Sequence, residues 1–207
     1  MRKQFLLVIV AIGLLTGCAS PRQMTLFAGH DATANVGVLP KYTIETGDIL
    51  LITFSSVNPE VVAPYNSAGT HYEVDENGMV EMPVLGRVKL AGLTTDEAIK
   101  TLTEMAQGPV REPIVRLTID NAVITFLGEV VNPSCIRATQ PIAFAEALGR
   151  VGGITKNAKC KDVVVQRRSQ GKTQRYHINL LTDEIFSSPC YYLQKGDMVY
   201  IAPLHAK

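Results

Sequence analysis

Residues 74–98 read VDENGMVEMPVLGRVKLAGLTTDEA. Asn77-Gly78 is a strong hairpin signal, because both residues tolerate positive φ. It predicts a hairpin between residues 72–74 and 79–82. A further strand is predicted over 84–90, with Gly86 inside it. Thr94 followed by Glu97 is the capping-box pattern, and Asp96 and Glu97 fall where the helix dipole favours negative charge. Ala98, Ile99, Leu102, Met105 and Ala106 then make one apolar stripe of a helix over 94–107, stopped by Gly108-Pro109. Strands in a run with one helix predict a small mixed α+β unit.

The pattern extends in both directions. Residues 42–54 read as strand, turn, strand around Gly47-Asp48, where Gly supplies positive φ and Asp bonds nearby backbone amides. Residues 114–119 alternate, with Val115, Leu117 and Ile119 on one face and Arg116 and Thr118 on the other. Residues 122–129 form a second strand, Asn132-Pro133 turns the chain, and 141–151 carry helical spacing at Phe144, Ala147, Leu148 and Val151 up to Gly152-Gly153. A hairpin over 163–168 and 174–178 turns at Gly171, and 192–201 close as strand, turn, strand. Residues 42–52 (YTIETGDILLI) and 191–201 (YYLQKGDMVYI) share the tyrosine, the apolar third position and the Gly-Asp turn. The echo supports two small α+β units, 41–121 and 122–203, with 204–207 as a tail.

The N-terminus is organised differently. Arg2 and Lys3 precede an apolar run over residues 5–15, too short to span a bilayer and suited to a secretory signal. Leu15-Thr16-Gly17-Cys18 fits the bacterial lipobox, in which the small residue before the cysteine admits the peptidase and the Cys18 thiol accepts the diacylglycerol. Residues 1–17 are therefore expected to be removed and Cys18 lipidated. Each buried methylene of an acyl chain adds about 0.8 kcal/mol of membrane affinity, so two or three chains anchor durably. Ala19 and Ser20 follow, with no aspartate to hold the protein at the inner membrane, which points to the outer membrane facing the periplasm. Residues 18–40 are polar, without periodicity, and are expected to be a flexible tether.

Composition excludes more than it selects. The 207 residues carry a formal net charge of +1, 46% hydrophobic residues and no tryptophan. A core is feasible, and neither a nucleic-acid footprint nor a solvating tail is present. Cys135, Cys160 and Cys190 remain in the mature chain; in an oxidising compartment they form either one disulfide with one thiol left over, or three thiols.

Three segments together resemble the Wza-type outer-membrane polysaccharide export lipoproteins. These are residues 42–50 with Asn58-Pro59-Glu60, residues 74–98, and Leu127-Gly128-Glu129-Val130-Val131-Asn132-Pro133 with Ala147-Leu148, Gly152-Gly153 and residues 193–201. The resemblance covers nearly all of 41–203. It implies an export domain followed by a soluble-ligand-binding β-grasp domain, passage of capsular or exopolysaccharide, assembly into a homo-oligomeric ring around a polar channel, and an inner-membrane copolymerase partner, often a tyrosine kinase. Members often carry a second β-grasp domain and a C-terminal amphipathic helix that builds the membrane pore. The sequence ends at Lys207 soon after its last strand, so it is not expected to build that pore alone. Cys135 stands where the family commonly has glycine.

No catalytic constellation, cofactor motif or metal spacing is found: His30, His71, His177 and His205 are scattered. Gly47, Asp48, Gly78, Gly86, Gly92, Gly128, Gly196 and Asp197 are expected to be turn residues. Tyr65, Tyr72, Arg167 and Arg168 are candidate glycan contacts, weighed against core packing for the tyrosines and a solvated hairpin face for the arginines. Two functions compete. One is a channel protomer in a ring; the other is a monomeric periplasmic accessory that binds glycan or a partner.

Overall fold

The structure is a computed structural model that describes residues 26–27, 38–169 and 171–204. The expected signal sequence, Cys18, most of the expected tether and residues 205–207 lie outside the described residues. Two hydrophobic cores form. One runs from Tyr42 to Ala122 along the chain and the other from Ile124 to Ile201. The fold is α+β, as expected.

The first unit is built on β1 (Ile49–Ser55), flanked antiparallel by β2 (His71–Glu73) and β5 (Ile114–Ile119). β1 alternates because Leu50, Ile52 and Phe54 face the core. Between β1 and β2 lie a short helix, α1 (Pro59–Val62), capped by the Asn58 side chain, and a 3-10 turn over Ala63–Asn66. β3 (Met79–Met82) and β4 (Gly86–Lys89) make a separate antiparallel hairpin. α2 (Thr95–Ala106) has both arms of the capping box that the sequence predicts and buries Ala98, Leu102 and Ala106. Its cap contributes about 1 kcal/mol.

The second unit centres on a five-stranded sheet ordered β10-β9-β12-β6-β7: β6 (Val123–Gly128), β7 (Ser134–Arg137), β9 (Ala158–Ser169), β10 (Lys172–Ile178) and β12 (Met198–Pro203). β12 runs parallel to β6 and antiparallel to β9. A small sheet pairs β8 (Ile142–Ala143) with β11 (Tyr192–Leu193), and α3 (Phe144–Arg150) packs Phe144, Ala147 and Leu148 into the core.

Four expectations shift. The Asn77-Gly78 turn forms, but β2 pairs with β1 and β3 with β4. The turn thus passes the chain from one sheet to another instead of closing a hairpin. Asp75 holds it, its Oδ1 accepting from the Asn77 and Met79 amides at 2.8 and 2.7 Å. The strand over 84–90 begins only at Gly86, because Val84 adopts a left-handed φ of 65° in the turn. The helix over 141–151 gives its first residues to β8. Leu26 and Phe27, expected in a free tether, pack against the second core: the Phe27 amide donates to the Leu180 carbonyl at 2.8 Å, and its ring lies 6.3 Å from that of Phe186.

Gly128 ends β6 with φ 85°, and a Cβ there would press into the Ile201 carbonyl oxygen and crowd the Tyr200 ring. Gly47 has φ 82° with open space around its missing Cβ. Gly47→Ala is therefore expected to cost about 1–2 kcal/mol, the conformational penalty alone. Gly128→Ala is expected to cost roughly 3 kcal/mol or more, because the parallel pairing of β6 and β12 must open. Denaturant unfolding of the two variants measures the difference, and equal costs would show that the close approach is not constraining.

Candidate functional site

The echoed segments fold into the same device. At Glu45-Thr46-Gly47-Asp48, the Asp48 carboxylate accepts from the Glu45 amide at 2.8 Å. At Gln194-Lys195-Gly196-Asp197, the Asp197 carboxylate accepts from the Gln194 amide at 2.8 Å. Gly47 and Gly196 take φ 82° and 80°. The Gly47 amide donates to the Val74 carbonyl while the Val74 amide donates to the Asp48 carbonyl. Correspondingly, the Gly196 amide donates to Val123 and the Thr125 amide to Asp197. Each turn is thus stitched to a neighbouring strand by its own backbone.

Each aspartate is buried, so each requires a cation. Asp197 has none of its side chain exposed and receives a forked pair from Arg167, Nε at 2.8 Å and Nη2 at 2.7 Å. Arg167 also donates to the carbonyls of Pro189 and Tyr192. Burial alone would lower the Arg167 pKa, but the hydrogen bonds and charge of Asp197 outweigh it and the net shift is upward. Asp48 takes Lys195 Nζ at 2.5 Å, with the Glu45 carboxylate 3.9 Å from the same ammonium. The cation that closes the first turn therefore comes from inside the second.

That contact joins the two units. Tyr42 enters the same junction: burial pushes its phenol up to about 12, the backbone of Lys195 opposing that rise and Asp197 adding to it. Asn121 accepts from the Ile49 amide and donates to the Gly47 carbonyl, both at 3.0 Å. Arg137 reaches Asp120 at 2.9 Å, and the Ala138 amide donates to the Ala122 carbonyl. Between these contacts opens a cleft of about 690 Å³, lined by polar side chains including Thr43, Glu45, Asn121, Arg168 and Lys195.

The candidate glycan contacts divide. Arg168 borders the cleft, exposed and without an ion pair among the described residues. Arg167 is spent on Asp197, so its guanidinium is not free on a solvated hairpin face. Tyr65 and Tyr72 are core residues: Tyr65 stacks 5.2 Å from Phe54, and the Tyr72 hydroxyl donates to the Gly69 carbonyl. Neither ring is offered to a sugar. Tyr191 and Tyr192, 4.8 Å apart edge to face, are half-buried. Of the expected turn residues, Gly78, Gly86, Gly92 and Gly128 all have positive φ. His71 and His177 sit beside Asp120 and Asp162, and among the described residues no group of three His, Cys, Asp or Glu could hold a metal. Lys195, Asn121 and Tyr42, which shape the junction, escaped the sequence reading. The signal for Lys195 was its place inside the echoed turn.

Residues 36–120 match the family of polysaccharide biosynthesis/export proteins, and residues 122–201 match the SLBB domain. The two matches, in this order, support the resemblance to the Wza-type polysaccharide export family. It is similar to the EPS I polysaccharide export outer membrane protein EpsA of Ralstonia solanacearum, 29% identical over 182 residues, which cover 78% of this chain and 48% of that protein. The EpsA of Ralstonia nicotianae is 29% identical over 160 residues, covering 66% and 42%. The chain thus spans about half the length of the curated relatives it matches. In this chain the tandem units meet at the Asp48–Lys195 contact, and the cleft lies on the boundary between the two matched segments.

Two outcomes follow for the site. Arg167→Ala leaves the fully buried Asp197 carboxylate without its cation and is expected to destabilise by about 3–5 kcal/mol. Lys195→Ala is expected to cost less, because Asp48 keeps some water and its amide donor. Thermal unfolding ranks the two, and a larger loss for Lys195→Ala would reverse the reading.

Cys135 and Cys190 are free thiols. Cys190 is buried, and burial pushes its thiol up to about 11. Cys160 is buried and also raised, whereas Cys135 is exposed. Alkylation of the folded protein at mildly alkaline pH is expected to modify Cys135 alone, with the other two reacting only after denaturation. Mass spectrometry of the product reads this directly.

Proposed function

We propose that this chain is a component of an exopolysaccharide or capsule export channel, held at the outer membrane by lipid on Cys18 and facing the periplasm. The supporting observation is the order of the two matched segments, the export family over 36–120 and the SLBB domain over 122–201, with relatives named as polysaccharide export outer membrane proteins. The lipobox at residues 15–18 accounts for attachment. No helix among the described residues is long and apolar enough to cross a membrane. On this reading the protomers assemble into a homo-oligomeric ring with polysaccharide passing through it, and an inner-membrane copolymerase or tyrosine kinase works from the other side.

A second reading is a monomeric periplasmic accessory that binds glycan or a partner. The polar cleft beside Arg168 and Lys195 favours it, since a hydrated sugar chain suits a shallow site with hydrogen-bonding walls. The same cleft fits the first reading if sugar passes from unit to unit.

The particle mass of the lipidated mature protein in mild detergent decides between them. A closed oligomer of several copies is expected for a channel protomer. A strict monomer at high concentration leaves the accessory reading in its place.

A further inference from the structure

The five-stranded sheet of the second unit has one covered face and one open face. Ile124, Phe126, Val163, Val165, Val199 and Ile201 point into the core that α3 completes. The residues between them point the other way. They stay exposed or half-buried, so none of the described residues lies over that face. Register aligns it into rows. Arg175, Gln166, Met198, Thr125 and Cys135 stand side by side across all five strands. The next row holds His177, Val164, Tyr200 and Leu127. With strands about 4.8 Å apart, the face is about 19 Å wide.

Two features of the face stand out. The first is an apolar step at its centre. Tyr200 and Leu127 are neighbours across the parallel pairing, 40% and 41% exposed. Tyr200 is the one exposed tyrosine among the described residues, the others being buried or half-buried. A ring held flat on a sheet, with Gln166 and Thr125 in the adjacent row, suits the apolar side of a sugar and the hydroxyls at its edge. The second is one-sided charge. Arg168 and Arg175 occupy successive rows on adjacent strands, and neither has an ion pair among the described residues. Arg175 leans on the Gln166 side-chain oxygen at 3.4 Å. Asp162, an acid on the same face, is taken by Lys159 and His177. Residues 123–204 as a whole hold ten basic and six acidic side chains, a net of plus four.

We infer that this open sheet face is a glycan-contact track, that Tyr200 is its stacking platform, and that its ligand is an acidic, uronate-bearing chain held by Arg168 and Arg175. The inference rests on the proposed handling of polysaccharide and names the surface and the charge of the sugar. The track is continuous with the polar cleft, because Arg168 and Val123 line the cleft and belong to this face. A planar guanidinium matches a carboxylate in two parallel hydrogen bonds, which a neutral hydroxyl does not offer. A neutral chain would leave both arginines without a counter-charge. The face is open and flat, so it holds a chain by a few weak contacts along its length and not by enclosure.

The test is ligand-observed saturation-transfer NMR on the lipidated mature protein in a sugar-free mild detergent. The probes are a mannuronate hexasaccharide and its neutral counterpart, mannohexaose. Tighter binding of the uronate is expected, weakened when ionic strength is raised to about 1 M. Tyr200→Ala is expected to weaken it roughly threefold to tenfold, with Tyr200→Phe close to wild type. Arg168→Gln with Arg175→Gln is expected to weaken the uronate at least about fivefold and to leave mannohexaose unchanged. Arg116→Gln, exposed on the first unit, is the control and is expected to change nothing. Uronate affinity equal in wild type, Tyr200→Ala and the double arginine variant overturns the inference, as does a wild type that binds neither probe. A smaller particle mass for Tyr200→Ala also overturns it, because a second copy would then cover this face. Deletion of the gene reads the underlying proposal separately. Undiminished polysaccharide secretion overturns that proposal, whereas lost secretion with unchanged affinities overturns the track alone.

Discussion

A buried carboxylate must be answered by a cation, and that requirement organises this molecule. The Gly-Asp turn is useful because its aspartate caps the loop from within, but the same geometry draws the carboxylate out of water. Asp197 meets the demand inside its own unit through the forked Arg167, whose planar guanidinium also ties down the carbonyls before β11. Asp48 meets it across the boundary through Lys195. A buried pair adds little net stability compared with apolar packing, yet either partner alone is costly. Its main effect is therefore to select one arrangement: the first unit finds a cation only where the second turn presents it.

Much of the local architecture was legible in the chain. The capping box at Thr94 and Glu97, the alternation through β5 and the stripe of α2 are signals written in neighbouring residues, and each is realised. What could not be read is which strand accepts which. Asn77-Gly78 states that the chain reverses, but β1, with two open edges, takes β2, and β3 is left to pair with β4. The candidate site was less legible for the same reason. Arg167 and Arg168 are adjacent in sequence and point to opposite faces of β9, so one is consumed by Asp197 and its neighbour borders the cleft. Tyr65 and Tyr72 fit a surface role by composition alone. Their packing against Phe54 and Gly69 depends on a turn, residues 63–66, with no strong sequence signature.

The echo of residues 42–52 in 191–201 proved to be more than two similar turns. Backbone exchange with a neighbouring strand recurs in both copies, and the positive-φ glycine that permits it recurs too. Where the copies differ, function can be divided. Position 46 is threonine in the first turn and the equivalent position is Lys195 in the second, so only the second can reach across. The whole-chain charge near zero likewise hides an acidic half and a basic half, which become visible only once the boundary near residue 122 is known. Opposite net charges favour their apposition, and the ion pairs Asp120–Arg137 and Asp48–Lys195 both run from an acidic first-unit residue to a basic second-unit one.

These contacts differ in how they respond to surroundings. Arg137 is well exposed, so its pair with Asp120 is screened by salt and contributes at most about 1 kcal/mol. Lys195 and Asp48 are largely withdrawn from water and are screened far less. The junction is therefore held on the Lys195 side and weakly held on the Arg137 side, with the Asn121 amide bridging Ile49 and Gly47 next to the firm contact. Any hinge between the units would turn about Lys195 and Asn121 and open first at Arg137. The cleft is lined by those same firm residues, so its walls keep their spacing even if the far side loosens.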